Sequence, residues 1–110
     1  MDDTRPAVLK LEGRRAVRLS GRGSVVLRVR CTGVDLCVGR VRLFDHSGRL
    51  IGRSARLSLR PNRMKRLVLE LGSPARRDLT AGRAIQARAQ FDAFGEPVKT
   101  KLGALTLHPR

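Results

Sequence analysis

Between Ser24 and Phe44 the chain reads SVVLRVRCTGVDLCVGRVRLF, and this stretch limits the fold more than any other. Val25, Leu27, Val29 and Cys31 occupy alternate positions, with Val26, Arg28 and Arg30 between them. After a short break, Cys37, Gly39, Val41 and Leu43 alternate with Val38, Arg40 and Arg42. Successive strand side chains point to opposite faces, so a strict period of two rich in β-branched residues means two half-buried strands. The turn-forming residues of TGVDL separate them, which reads as a hairpin. Both cysteines fall on the inward parity, one closing the first strand and one opening the second. A disulfide there, favoured over buried free thiols, would close a loop of about seven residues and contribute roughly 2 kcal/mol on the chain-entropy model.

The rest of the chain repeats this pattern. Ala7, Leu9 and Leu11 alternate before Gly13, and Val17 and Leu19 resume the pattern after it, as in one edge strand broken at Gly13. SGRG (20–23) is a turn leading into the hairpin, and DHSG (45–48) has the Asp-first, Gly-fourth composition of a β-turn. Leu50 and Ile51 start a short strand interrupted by Gly52; Ala55, Leu57 and Leu59 then alternate, and RPNR (60–63) turns the chain. Leu67, Leu69 and Leu71 face inward opposite Arg66, Val68 and Glu70. In SPARRDLTAG (73–82) the pattern breaks; Pro74 after Ser73 suits the start of a single helical turn, which Gly82 would end. Ile85, Ala87, Ala89 and Phe91 form the next inward row, DAFGEP (92–97) connects, and Gly103, Leu105 and Leu107 form the last. No stretch of ten or more residues keeps a helical period, so the expected class is all-β. The core is expected to contain Leu27, Val41, Leu69, Ala87 and Phe91. The expected organisation is one domain over residues 1–110, with residues 1–6 disordered.

About seven strands, spaced at roughly eight to twelve residues, suit a two-sheet antiparallel sandwich. The series VRCTGVDLCVGRVRL, SGRLIGRSARLSLRPNRMKRLVLEL and DLTAGRAIQARAQFDAFGEPVKTKLGALTL resembles the immunoglobulin-like repeats of actinobacterial secreted and surface proteins. LTAGRAIQARAQ also resembles the entry to the sixth strand of fibronectin type III modules, with Ile85 where that family usually carries Tyr. The resemblance implies a structural or adhesive module with no chemistry of its own, held by a cysteine staple between its second and third strands. Its expected neighbours are further repeats, cell-surface polymers or other polyanions.

The chain has 24 basic and 9 acidic residues, a net charge of +15, and only three aromatic side chains, Phe44, Phe91 and Phe94. Such an excess suits an anion-binding surface: nucleic acid, acidic glycan, teichoic-type polymer or anionic lipid. Twenty of the 24 cations are Arg, a ratio that codon bias in a GC-rich genome would also produce. If the third, sixth and seventh strands share a sheet, as the resemblance implies, Arg40, Arg42, Arg88 and Lys99 form one outward basic face. Phosphate contacts along that face would be electrostatic and blind to sequence, and no exposed aromatic is expected beside it to stack on bases.

No enzymatic site, metal or cofactor is read from the sequence. Asp45, His46 and Ser47 are consecutive, so their side chains diverge, and a turn accounts for all three. Cys31 and Cys37 lack the second ligand pair that a zinc site requires, and GRGS (21–24) precedes a strand where a phosphate loop would open a helix. No apolar run approaches the eighteen or so residues of a membrane span. MDDTRPAVLKLEGRR carries no apolar signal core, whereas a disulfide points to an oxidising compartment. An extracellular or cell-surface module is therefore expected, with a small basic intracellular protein binding nucleic acid or another polyanion as the alternative.

Overall fold

In the computed structural model, which describes residues 8–95 and 100–109, the alternating segments become strands joined in one sheet. The elements are β1 (Val8–Glu12), β2 (Ala16–Arg18), β3 (Ser24–Thr32), β4 (Cys37–Asp45), β5 (Leu50–Ser54), β6 (Leu57–Leu59), β7 (Met64–Leu71), α1 (Ser73–Thr80), β8 (Ile85–Ala93) and β9 (Thr100–His108). Their order is β1-β3-β7-β5-β4-β8-β9-β2, with β6 attached to β4. The all-β class holds, with nine strands among the described residues where about seven were expected. They form a continuous hydrogen-bonded path because β5 pairs with both β4 and β7. The stretch expected to be disordered, 1–6, lies outside the described residues.

The sheet curls, for a covalent reason. β1 and β2 stand at opposite ends of the strand order, yet residues 13–15 alone separate them. Four Cα steps from Glu12 to Ala16 reach at most about 14 Å, so the two rims must approach each other. Gly13, at φ +80°, turns the chain from one rim to the other. The expected single edge strand is therefore two strands with different partners: β1 runs antiparallel to β3, and β2 runs parallel to β9. The Thr106 amide donates to the Arg15 carbonyl at 2.7 Å and fastens the crossing.

Inside the curl lie the predicted inward rows. Leu27, Val41, Leu69, Ala87 and Phe91 are all buried, and Phe91 is the only aromatic ring in a core made mostly of Leu and Val. β3 and β4, however, do not form a hairpin. β3 bonds to β1 and β7, and β4 to β5, β6 and β8. TGVDL therefore carries the chain from one half of the sheet to the other as an exposed link, with Val34 and Leu36 open to solvent. Alternation specifies which face a residue occupies but says nothing about which strand lies beside it. Cys31 and Cys37 are fully buried at the two ends of that crossing, at disulfide distance with their Cα atoms 5.8 Å apart.

Two small residues settle close contacts along β4. A Cβ at Gly39 would stand 2.1 Å from the Asp92 carbonyl oxygen, so only glycine lets β8 approach β4 there. Ser54 is buried where the edge of β4 changes partner from β6 to β5. Its hydroxyl accepts the Val41 amide at 3.0 Å and donates to the Ala55 carbonyl at 2.8 Å, so the amide between the two ladders is satisfied.

Three local expectations are corrected. The helical segment is eight residues, about two turns, instead of one. Pro74 opens it, Ala75 and Leu79 anchor it in the core four residues apart, and Gly82 at φ +88° ends it. β5 runs through Gly52, and Ala55 is exposed between β5 and β6 instead of facing inward. In β9 a register shift beside Gly103 changes the parity, so Leu102 is buried with Leu105 and Leu107.

Two substitutions test this arrangement by chemical denaturation. Ser54→Ala should cost about 1–3 kcal/mol, because it leaves the buried Val41 amide without an acceptor. Leu69→Ala should cost about 2–5 kcal/mol, whereas Arg66→Ala, exposed three residues earlier on β7, should cost under about 0.5 kcal/mol.

Candidate anion-binding face

β4, β8 and β9 are adjacent, as the basic-face expectation required. On the outward side Arg40 stands opposite Asp92, Arg42 opposite Gln90, and Phe44 opposite Arg88. Each element owes this to the same alternation that buries Val41, Leu43, Ala87 and Ala89 on the other side.

The candidate residues are not equivalent. Arg42 is half-buried and forms an ion pair with Asp92, Nε to Oδ2 at 2.9 Å, and Asp92 Oδ1 also accepts from the Gln90 amide at 3.0 Å. Arg42 is thus spent largely on bracing β4 against β8. Arg40 and Arg88 are exposed and make no ion pair among the described residues. Lys99 lies outside the described residues.

Two cations that sequence reasoning left out extend the face. Lys101 is exposed on β9 opposite Gln90, and Arg53 is exposed on β5 opposite Arg42. Arg53, Arg42, Gln90 and Lys101 therefore form a row across four strands. Had Leu102 been read as inward, Lys101 would have followed as outward. For Arg53 the signal was the β-turn at 45–48, which sets β5 beside β4 and Arg53 opposite Arg42.

Aromatic groups are also nearer the surface than expected. Phe44, half-buried, lines a cleft of about 700 Å³ on this face with His46, Arg88, Gln90 and Lys101. Phe94 is 47% exposed, and the Arg56 guanidinium lies 5.0 Å from its ring centre. The expectation of no exposed aromatic is therefore corrected. Phe94 follows β8 directly, and its amide donates to the Val38 carbonyl at 2.9 Å, which continues the ladder outward instead of turning the ring into the core.

Asp45 at the edge of the cleft belongs to a turn. Its Oδ1 accepts from the Ser47 hydroxyl at 2.6 Å, the Ser47 amide at 2.9 Å and the Arg49 amide at 3.0 Å. The Ser47 hydroxyl bond, followed by the Arg49 amide bond, holds its carboxyl below the usual value of 3.8. Ser47 is thus committed to the turn, as the consecutive spacing of Asp45, His46 and Ser47 implied. No protein-family model matches the sequence, and no curated protein matches it.

The turn predicts a pH effect. With its folded pKa depressed, Asp45 stabilises the protein above the unfolded value of 3.8, and that contribution is lost as pH falls through the lower folded value. Thermal melts of Asp45→Asn against the unsubstituted protein should differ most near neutral pH. The difference should shrink as pH drops below 3.8.

Proposed function

We propose that this chain is a non-catalytic, immunoglobulin-like β-sandwich module that binds a polyanion through the outward face of β4, β8 and β9. The strand order supports the architecture. β1-β3-β7-β5 followed by β4-β8-β9 is the order of the two sheets of the constant-type immunoglobulin fold, with β5 hydrogen-bonded to both. The staple differs from that of antibody domains, because it joins the second and third core strands.

The observation that carries the binding reading is the set of exposed cations Arg40, Arg53, Arg88 and Lys101 on a face where Asp92 is engaged by Arg42 and Asp45 by its own turn, with Glu70 across from Arg53 at the margin. Phosphate or sulfate groups repeated along a polymer would meet successive guanidinium groups across the strands. The buried cysteine pair at disulfide distance is compatible with an extracellular location, which favours a cell-surface polymer over nucleic acid. Adhesion to such a polymer is the natural task of a module of this kind.

Duplex DNA, with its regular phosphate spacing, is the probe polyanion, and a sulfated polysaccharide serves as the second. Three phosphate contacts give a log–log salt slope of about −3. Arg40→Gln, Arg88→Gln and Lys101→Gln together should flatten the slope by about two to three units. Arg28→Gln, Arg63→Gln and Arg66→Gln, which remove equal charge from the β3–β7 side, should leave most of it. Equal behaviour of the two triples would overturn the reading. So would binding weaker than about 10⁻⁴ M near physiological salt for both probes.

A further inference from the structure

At the end of the sheet away from the cysteine pair, the turn at 20–23 and helix α1 flank an open cleft of about 910 Å³. Three guanidinium-bearing residues, Arg22, Arg76 and Arg77, line it with the hydroxyl residues Ser20, Ser73 and Thr80. Among the described residues no aspartate or glutamate lines it. The nearest acid along the helix, Asp78, pairs with Arg83 at 3.4 Å.

Arg76 is seated there by specific contacts. Its Nη2 donates to Ser73 Oγ at 3.2 Å, the only side-chain hydrogen bond it makes among the described residues. A neutral hydroxyl fixes the group without offsetting its charge. The side chain lies across Gly23, where a Cβ would come within 2.5 Å of Arg76 Cδ. Gly23 also adopts φ +78°, so glycine serves both the turn and the seating of the arginine. The turn is itself braced: the Arg22 amide donates to Ser20 Oγ at 3.3 Å, and the Ser20 and Ser24 hydroxyls lie 2.8 Å apart. Buried Leu19 and Leu79 form the floor.

Like charges gathered without an acid repel one another, and an oxyanion between them removes that repulsion. Guanidinium groups match the geometry of phosphate and sulfate oxygens. We infer that this cleft is an oxyanion-binding site for a phosphate or sulfate monoester group, separate from the β4–β8–β9 face and independent of its proposed role. The open side of the cleft leaves the sugar or other small unit that carries such a group room to extend into solvent.

The test uses amide chemical shifts of the isotope-labelled protein, with inorganic sulfate and then inorganic phosphate titrated at constant ionic strength against chloride. Saturable shifts confined to residues 20–23 and 73–81 are expected. Arg76→Gln should weaken the midpoint by about tenfold or more. The double variant Arg22→Gln, Arg77→Gln, which leaves the seat of Arg76 untouched, should do the same. The triple Arg40→Gln, Arg88→Gln, Lys101→Gln should leave the midpoint within about twofold, which separates this site from the polyanion face. Unsaturating shifts spread over exposed arginines, or midpoints unchanged in both cleft variants, would overturn the inference. A stronger response to phosphate or to sulfate identifies which ester the site prefers.

Discussion

A sheet that is apolar on one face, with no second layer to cover it, can bury that face only by folding onto itself. Nearly every structural feature of this chain serves that requirement. Inward Leu and Val residues line β3, β4, β7 and β9, and Ala and Phe line β8, so the sheet must bring its own halves together to bury them. Residues 13–15 join the rims, the exposed TGVDL link carries the chain from one half to the other, and β5 holds the two halves in one hydrogen-bonded path. Ser54 satisfies an amide where the two halves meet, and Gly39 lets β8 lie close against β4.

With the inside filled by hydrocarbon, the charge is driven to the outside, where cations far outnumber acids. Three acids are placed as braces: Glu12 with Arg30, Asp92 with Arg42, and Asp78 with Arg83. A fourth, Asp45, is committed to the amides and hydroxyl of a turn. The remaining cations repel one another and weaken the compact state to a degree that falls as salt rises. A bound polyanion would relieve that repulsion, so ligand binding and folding stability should be coupled in this protein.

Residue faces were legible in the sequence, and strand neighbours were not. The burial of Leu27, Val41, Leu69, Ala87 and Phe91 followed from a period of two, which is set by the backbone of a single strand. The separation of β3 from β4 did not follow, because TGVDL has the composition of a turn whether it reverses the chain beside itself or passes it to the other half of the sheet. Ala75 and Leu79 are the only anchors of α1, too few to establish a helical period amid Arg, Asp and Thr. At Gly103 a bulge shifted the parity of β9 and hid Lys101 from the basic face. Arg42 was correctly placed on that face, but its engagement by Asp92 depends on the β4–β8 register, which no local pattern encodes.

The parallel pairing of β2 with β9 has a mechanical consequence. Ala16, Val17 and Arg18 stand beside Thr106, Leu107 and His108, and the chain enters one strand and leaves the other in the same direction. Tension drawn along the polypeptide from its two sides therefore slides these strands past each other lengthwise. The flanking bonds, from the Thr106 amide to the Arg15 carbonyl and from the Leu19 amide to the His108 carbonyl, are loaded together in shear instead of being opened one at a time. The tie between Cys31 and Cys37 limits how far the chain behind that seam can extend.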